Sequence, residues 1–412
     1  MELRIFRHKF YPLGKLFFSS SVLNLCFSKL FDIIIIQIAR KRKRFYAGFL
    51  RIMKIKKLFL QNFRNYERET FDFSDGLNVL FGKNAQGKTN CAEAVFYLCT
   101  GASLRIRHDK QLIKTGADHA EIRAEAENRY GKVVIEATIF ENKREIRVNG
   151  GKISKNADLM GHINSVFFSP GELRLIQDGP DERRRFMNIS IAQTSAPYYT
   201  ALLRYNRILD QRNSLLKNRD VEMVLDTLPV WDEQLCKYAA LIVKKREEFI
   251  EKLAPFAKEY HAFLTDGAEE LLVKPDRRYV GSEEEIAASL KRRLADNYEK
   301  DLRLGFTTVG PHRDDLDVII NGLDAKAYAS QGQMRTAALA LKLAEVRIFK
   351  ELSTEYPILI LDDVMSELDL KRRKKLLQCV ADLQTILTCT HTERVLYGAE
   401  CNKIRIENGK IK

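Results

Sequence analysis

Three stretches of this chain combine residue types and spacings suited to phosphate chemistry. Gly82-Lys83-Asn84-Ala85-Gln86-Gly87-Lys88-Thr89 satisfies G-x-x-x-x-G-K-[ST] between a strand-like run and a helix-like run that opens at Asn90. In that geometry the glycines let backbone N–H groups close around phosphate oxygens, and the helix start adds its positive end. Lys88 then reaches the β and γ phosphates, and Thr89 ligates Mg²⁺. Leu359-Ile360-Leu361-Asp362-Asp363 is an apolar strand that delivers two acids to its carboxyl end. Asp362 offers Mg²⁺ an acidic partner opposite Thr89, and Asp363 stands where a carboxylate polarises an attacking water. Ser330-Gln331-Gly332-Gln333 opens a helix with Ser at its cap and Gly for close backbone approach, so a second set of free N–H groups points at an anion.

Those residues need a scaffold of strands and helices to hold them. Runs 55–63 and 77–81 read as short buried strands, the second bounded by Asp75-Gly76 and followed by the phosphate loop and a helix over 90–100. Residues 120–126, 133–140 and 144–148 are strand-like, with Asn149-Gly150-Gly151 as a hairpin turn, which predicts an antiparallel β subdomain. After about residue 185 the pattern becomes helical. Leu202, Tyr205, Leu209 and Leu216 form one stripe; Trp231, Leu235, Tyr238, Ile242, Phe249, Leu253, Phe256, Tyr260 and Phe263 form a longer one. Together they predict an antiparallel helical arm, with Pro255 interrupting the second stripe and a Ser282/Glu285 capping box opening a helix over 283–300. Strands return at 316–320, 357–361 and 385–390, with helices over 333–352 and 370–383 and a final hairpin ending at Ile411. The predicted fold class is α/β: a head of mixed sheet plus antiparallel β subdomain over 53–185 and 301–412, split by a helical lobe over 186–300.

Composition agrees with a folded protein of more than one lobe, since 45% of the 412 residues are apolar and 30% charged. The net charge of +14 is uneven: residues 1–52 hold 11 Lys and Arg against 2 acids, and the remainder 58 against 53. A polyanion would therefore meet a local patch, not the whole surface. Seven scattered cysteines without a C-x-x-C pair point to neither a zinc site nor a disulfide framework, and to a reducing, cytoplasmic compartment. The apolar run over 22–38 is interrupted by Asn24, Lys29, Asp32 and Gln37, too often for a membrane span, and no small-residue cleavage site follows it. Met53-Lys54-Ile55 opens directly into the first strand, so residues 1–52 read as an extension outside the fold, from a mis-called start or disordered.

The motif order of phosphate loop, long insertion, Ser-x-Gly-Gln helix and Asp-bearing strand resembles the ABC-type ATPases, in which the serine helix of one subunit completes the ATP site of another. Ser366-Glu367-Leu368-Asp369 is similar to the loop that crosses the dimer seam in that superfamily, and Thr390-His391 to the strand end that carries a γ-phosphate-sensing histidine. Within it, residues 53–412 resemble the RecF family of bacterial recombination proteins. That resemblance rests on Asn62-Phe63-Arg64-Asn65-Tyr66, residues 82–90, Phe168-Ser169-Pro170, Gly179-Pro180 with Arg183-Arg184-Arg185-Phe186, Gly310-Pro311-His312-Arg313-Asp314-Asp315 and Ser330–Gln333. The Gly-Pro-His-Arg-Asp-Asp segment and the Pro-x-x-Arg-Arg pattern are the specific ones, although His312 equally suits a structured turn.

The resemblance implies an ATP- and Mg²⁺-dependent homodimer that recognises gapped or junction DNA, single- and double-stranded, and works with RecR and RecO to load RecA in repair, recombination, replication and the SOS response. It implies that Arg64 joins residues 82–90 in holding ATP, that Asp363 and His391 act in catalysis, that Ser330, Gln331, Gly332 and Gln333 complete the partner's site, and that Ser366 and Asp369 line the seam. Hydrolysis would be weak, DNA-stimulated and serve as a timer; Asp363, one methylene shorter than the glutamate of transporter ATPases, suits a slow site. Gln331 and Glu367 stand where many relatives of the superfamily have glycine and alanine, and no nucleotide-sensing glutamine is placed. Phosphate contacts to DNA are expected from Arg105, Arg107, Lys110, Arg183, Arg184 and Arg185, while the triplet equally fits a helix face paired with Asp178 and Asp181. A transporter subunit fits poorly because the stretch from Lys88 to Ser330 is too long, a chromosome tether because there is no room for its coiled coil, and a small-molecule kinase because the Ser330 helix has no purpose in it.

Overall fold

Alternating apolar side chains build the first sheet. The computed structural model describes residues 52–106, 108–218, 221–275, 277–392 and 400–412. Residues 1–51 of the extension expected over 1–52, and Arg107, lie outside them. Ile52, assigned to the extension, already bridges Tyr356. β1 (Lys54–Phe63) and β2 (Tyr66–Asp72) form a hairpin, β3 (Leu77–Phe81) leads into the phosphate loop, and β4 (His119–Asn128), β5 (Gly131–Phe140), β6 (Arg144–Val148) and β7 (Gly151–Lys152) follow. The antiparallel order is β2-β1-β4-β5-β6-β7. Leu58 and Leu60 of β1, Ile122 and Ala124 of β4 and Ile135 and Ala137 of β5 are buried, and share a core with α1 (Lys88–Thr100). β2 had no signal in the sequence because Glu67, Arg68 and Glu69 break its alternation; pairing with β1, Phe63 opposite Tyr66, makes it a strand.

The second sheet positions the chemistry. Its strands are β8 (Ser165–Phe168), β12 (Ile358–Asp362), β13 (Thr385–Cys389), β14 (Asn402–Glu407) and β15 (Lys410–Ile411) together with β3, in the order β15-β14-β3-β13-β12-β8. From β14 to β8 every neighbour is parallel. β13 lies between β3 and β12, with Cys389 opposite Phe81 and Thr388 opposite Asp362. The carboxyl ends of β3, β13 and β12 therefore end side by side, which is where ligands sit in parallel α/β sheets. A small third sheet joins β9 (Leu271–Pro275), β10 (Leu316–Ile320) and β11 (Leu323–Asp324).

The helical stretch differs from the expected arm. α2 (Pro180–Thr194), α3 (Ala196–Leu216), the 45-residue α4 (Val221–Thr265) and α5 (Glu283–Asp296) precede α6 (Gln331–Ser353) and α7 (Leu370–Cys379). α4 runs unbroken through Pro229 and Pro255, so the interruption expected at Pro255 does not occur. A helical proline forfeits a backbone hydrogen bond and costs about 3 kcal/mol. Here Leu235, Ile242, Leu253 and Leu264 are all buried along one helix packed between α3 and α6, and burying several such side chains at about 1.5–3 kcal/mol each outweighs that cost. The Ser282/Glu285 box forms as expected, with both reciprocal hydrogen bonds.

The lobe limits also shift. The 185/186 and 300/301 boundaries fall inside the helices Pro180–Thr194 and Tyr298–Leu304. One hydrophobic core joins Val79, Val166 and Leu361 of the sheet to Tyr198, Ile242 and Leu253 of the helices, so the helical layer shares the head's core. Among the described residues no helix is long and apolar enough to cross a membrane.

Candidate functional site

The phosphate loop leaves β3 at Gly82 and enters α1, whose first residue, Lys88, is buried. Its Nζ donates to the carbonyls of Gly82 and Lys83, both at 2.7 Å, so the ammonium lies folded over the loop. Burial lowers the Lys88 pKa, opposed by Asp363, Cys389 and Asp362. A desolvated ammonium in this position gains most from an incoming anion. Lys83, Asn84 and Ala85 are exposed at the loop's tip.

The turn between β1 and β2 grips the loop from the side. Asn65 Nδ2 donates to Gln86 O at 2.9 Å, Tyr66 Oη to Gly87 O at 2.8 Å, and Asn90 Nδ2 to Asn65 Oδ1 at 2.8 Å. Arg64, expected among the ATP ligands, is placed differently. Its Nε and Nη2 donate to the buried carboxylate of Glu93 on α1, each at 3.0 Å, and Nη1 to Gln111 O at 3.0 Å. Ser103 and Arg105 approach the same carboxylate, Arg105 at 3.6 Å, and Arg105 also donates to Asn90 Oδ1 at 3.2 Å. Sequence reasoning missed Glu93; an acid in the apolar run Cys91-Ala92-Glu93-Ala94-Val95 was the available signal.

β12 brings Asp362 to the loop. Its Oδ1 accepts from Thr89 Oγ1 and from Thr388 Oγ1, both at 2.8 Å. Burial raises its pKa, opposed by those two hydroxyls and by Arg105. A buried carboxylate beside a threonine hydroxyl at the phosphate loop is a donor set suited to a hard divalent cation. Thr388, also missed, sits one strand over and donates to Asp362, while its Oγ1 accepts from Asp363 N at 3.0 Å. Asp363 is exposed in a left-handed conformation (φ 55°), and its carbonyl accepts from Ser366 Oγ at 2.7 Å. His391 is exposed just beyond β13, between the strand that leads into the phosphate loop and the strand that carries Asp362. Asp362 opens onto a groove of about 750 Å³, also lined by Arg105, Ser169, Glu172, Arg174 and Arg185.

The Ser330 helix is built in another way. Ser330 Oγ accepts from Gln333 N at 3.3 Å and Gln333 Oε1 from Ser330 N at 2.8 Å, a closed capping box at the start of α6. Ser330, Gln331 and Gly332 are exposed, and among the described residues no hydrogen bond links this helix start to residues 82–90. Glu367, on the loop after Asp363, pairs with Arg335 of α6 at 2.5 Å, and Asp369 caps α7 by accepting from Arg372 N at 2.9 Å.

The family model described as "RecF/RecN/SMC N terminal domain" matches residues 54–412. A protein of Clostridium acetobutylicum named "DNA replication and repair protein RecF" is 41% identical over 363 residues, spanning 87% of this chain and 99% of the relative. The chain belongs to the RecF family. A second member of that family, of the same name and from Lachnoclostridium phytofermentans, is 43% identical over 361 residues, 87% of this chain and 97% of its own. The solved structure of "the recombination mediator protein RecF-ATPrS in RecFOR pathway" superposes with a TM-score of 0.81 at 34% identity, covering 88% of this chain and 99% of that one. An Smc head domain from Pyrococcus furiosus, 16% identical with a TM-score of 0.52 over 88% of this chain and 96% of that one, shares the fold. The fold is that of an ABC-type ATPase head.

The two family-specific motifs meet in a buried polar knot. Arg183, expected on DNA, is instead buried: Nε and Nη2 donate to Asp315 at 2.6 and 2.9 Å, and Nη1 to the carbonyls of Leu175 and Asp178. With four of its five N–H donors engaged and the side chain buried, it is built into the fold and does not face outward as a DNA contact would, which corrects that assignment. Arg184 donates to Asp314 O at 2.7 Å and pairs with Asp181, and Arg185 donates to Leu104 O; of the local pairing expected with Asp178 and Asp181, the Asp181 ion pair forms, while Asp178 offers Arg183 only its backbone carbonyl. Arg246 of α4 completes the knot, donating to Pro311 O at 2.6 Å, Asp314 at 3.1 Å and Asn188 Oδ1 at 2.9 Å. His312 sits in a structured turn, with Nδ1 2.5 Å from Tyr205 Oη and Nε2 2.9 Å from Thr307 O. Lys110 remains outside the knot, half exposed and 4.0 Å from Glu141.

Proposed function

We propose that this chain is an ATP-dependent DNA-binding protein of recombinational repair and replication restart, whose affinity for gapped or junction DNA is set by nucleotide-driven dimerisation. The observation that carries the reading is the pairing of a closed Lys88–Thr89–Asp362 constellation with an exposed Ser330 cap elsewhere on the same chain. A phosphate bound on the loop would present its outer oxygens to solvent, and the free N–H groups of a second copy's α6 offer the missing donors. Relatives named for DNA replication and repair, and a similar protein solved as RecF-ATP in the RecFOR pathway, support both the nucleotide and the pathway, with RecR and RecO as partners.

In this reading the loop amides and Lys88 hold the β and γ phosphates, and Thr89 and Asp362 hold Mg²⁺, which supplies charge neutralisation at the phosphates. Asp363 orients the attacking water and His391 contacts the γ phosphate. Asp363 is both short and exposed, which suits slow hydrolysis acting as a timer. Ser366 and Asp369 line the seam. Arg105, which shares Glu93 and the Asp362 groove, serves the nucleotide side, leaving Lys110 as the stronger phosphate contact for DNA.

The test is fluorescence anisotropy of a labelled gapped duplex titrated with the full chain, with and without ATP and Mg²⁺. Binding that requires ATP, and weakens as salt rises, is expected. Binding indifferent to ATP would defeat the nucleotide-driven part of the reading, and no binding would defeat the DNA part.

A further inference from the structure

The hairpin of β14 and β15 touches the phosphate loop at both its start and its apex. Asn408-Gly409 forms the turn between those strands, with φ of 51° and 69°, the Asn-Gly signature of a tight two-residue hairpin. The N–H groups at such a turn commonly face water, whereas here both are spent on one residue. Asn408 N donates to Gln86 Oε1 at 2.6 Å and Gly409 N to Gln86 O at 3.0 Å. Gln86 O takes a second donor, Asn65 Nδ2 at 2.9 Å, from the β1–β2 turn. At the loop's start, a Cβ on Gly82 would lie 2.3 Å from Ile406 O of β14, and a Cβ on Gly409 would lie 2.5 Å from Asn65 O. Parallel pairing of β14 with β3, Arg405 opposite Phe81, holds the hairpin at this distance.

We infer that the 402–411 hairpin is a positioning element for nucleotide binding, presetting the phosphate loop through Gln86. Gln86 lies at one of the variable positions of the loop motif, so its side chain is not needed to bind phosphate. It is needed to receive the hairpin. Lys83, Asn84 and Ala85 are exposed and would sample many conformations without that anchor, and ordering them would then have to be driven by the ligand. Each anchoring hydrogen bond contributes about 0.5–1.5 kcal/mol, so losing the one made by the Gln86 side chain should weaken nucleotide binding about fivefold.

This inference rests on the nucleotide reading above, and the test separates the two. The full chain would be titrated with methylanthraniloyl-ATP and Mg²⁺, alongside Gln86→Ala, Gly409→Val, Lys410→Ala on the same hairpin, and Lys88→Met. Gln86→Ala is expected to raise Kd about fivefold and Gly409→Val at least as much, each raising KM more than it lowers kcat, while Lys410→Ala binds normally. Because Gly409→Val also strains the turn, Gln86→Ala is the deciding variant, and its melting temperature without nucleotide should stay within about two degrees. Parent-like Kd in Gln86→Ala, with binding lost in Lys88→Met, would overturn the positioning role and leave the nucleotide site standing. Failure of the parent to bind the probe would remove both.

Discussion

At the carboxyl end of β3, the phosphate loop is tied from every side within one chain: Asn65 and Tyr66 on its carbonyls, Asn408 and Gly409 on Gln86, and Thr89 joined to Asp362. At the start of α6, the side chains of Ser330 and Gln333 close a capping box on each other's backbone, and Ser330 faces solvent. Both places expose N–H groups to an anion, yet one is organised by strands brought together from positions over three hundred residues apart, and the other by a four-residue capping box. The difference teaches that preorganisation is placed where a single chain must capture its ligand alone. In the proposed composite site the start of α6 would need only to be rigid, because its ligand would arrive already held on another surface.

Breaking the prebuilt half should have the largest effect. Lys88→Met removes the cation folded over the loop, and methylanthraniloyl-ATP affinity is expected to fall at least a hundredfold; ordinary affinity would remove the loop assignment. Ser330→Arg attacks the other half. It should leave ATP affinity within about threefold while abolishing the ATP-driven dimer in light scattering, and a dimer that persists would count against a composite site.

A third, smaller effect concerns the polar knot that holds His312. Burial, helped by Arg313 and Arg184, lowers the His312 pKa from its ordinary 6.5 to about 4. The folded state therefore keeps this imidazole neutral where the unfolded chain would protonate it. Stability from this group is complete above about pH 6.5 and is lost as pH falls toward about 4. In thermal melts, His312→Asn should flatten the loss of stability across that window, and an unchanged slope would show that other groups dominate it.

Much of the site was legible because its residues are adjacent in sequence. Residues 82–89 announce themselves by glycine spacing, and the Asp362 strand by four apolar residues ending in acids. The Ser330 and Ser282 caps were readable for the same reason, since a capping box is complete within four residues. Thr388 and Glu93 were not readable. A threonine inside a strand and an acid inside a helix look alike everywhere, until strand order sets one beside Asp362 and a turn sets Arg64 beside the other. The Arg183–Arg185 triplet shows the converse: three basic residues in a row suggested either a surface patch or a locally paired helix face, whereas Arg183 and Arg184 find Asp315 and the Asp314 carbonyl about 130 positions downstream and Arg185 the Leu104 carbonyl upstream.

The local devices of this protein are written in its sequence: most of its strands, its caps, its phosphate loop and the order in which they occur. These depend on periodicity and on bonds spanning a few residues, which are written in consecutive letters. Tertiary structure alone decided which devices meet. Only parallel pairing of β14, β3, β13 and β12 brings the hairpin, the loop, Thr388 and Asp362 to one sheet edge, and only packing on both faces carries α4 straight through Pro255. The physical reason is that burial and long-range hydrogen bonding depend on distance in space, and sequence separation carries almost no information about that distance until the core has formed.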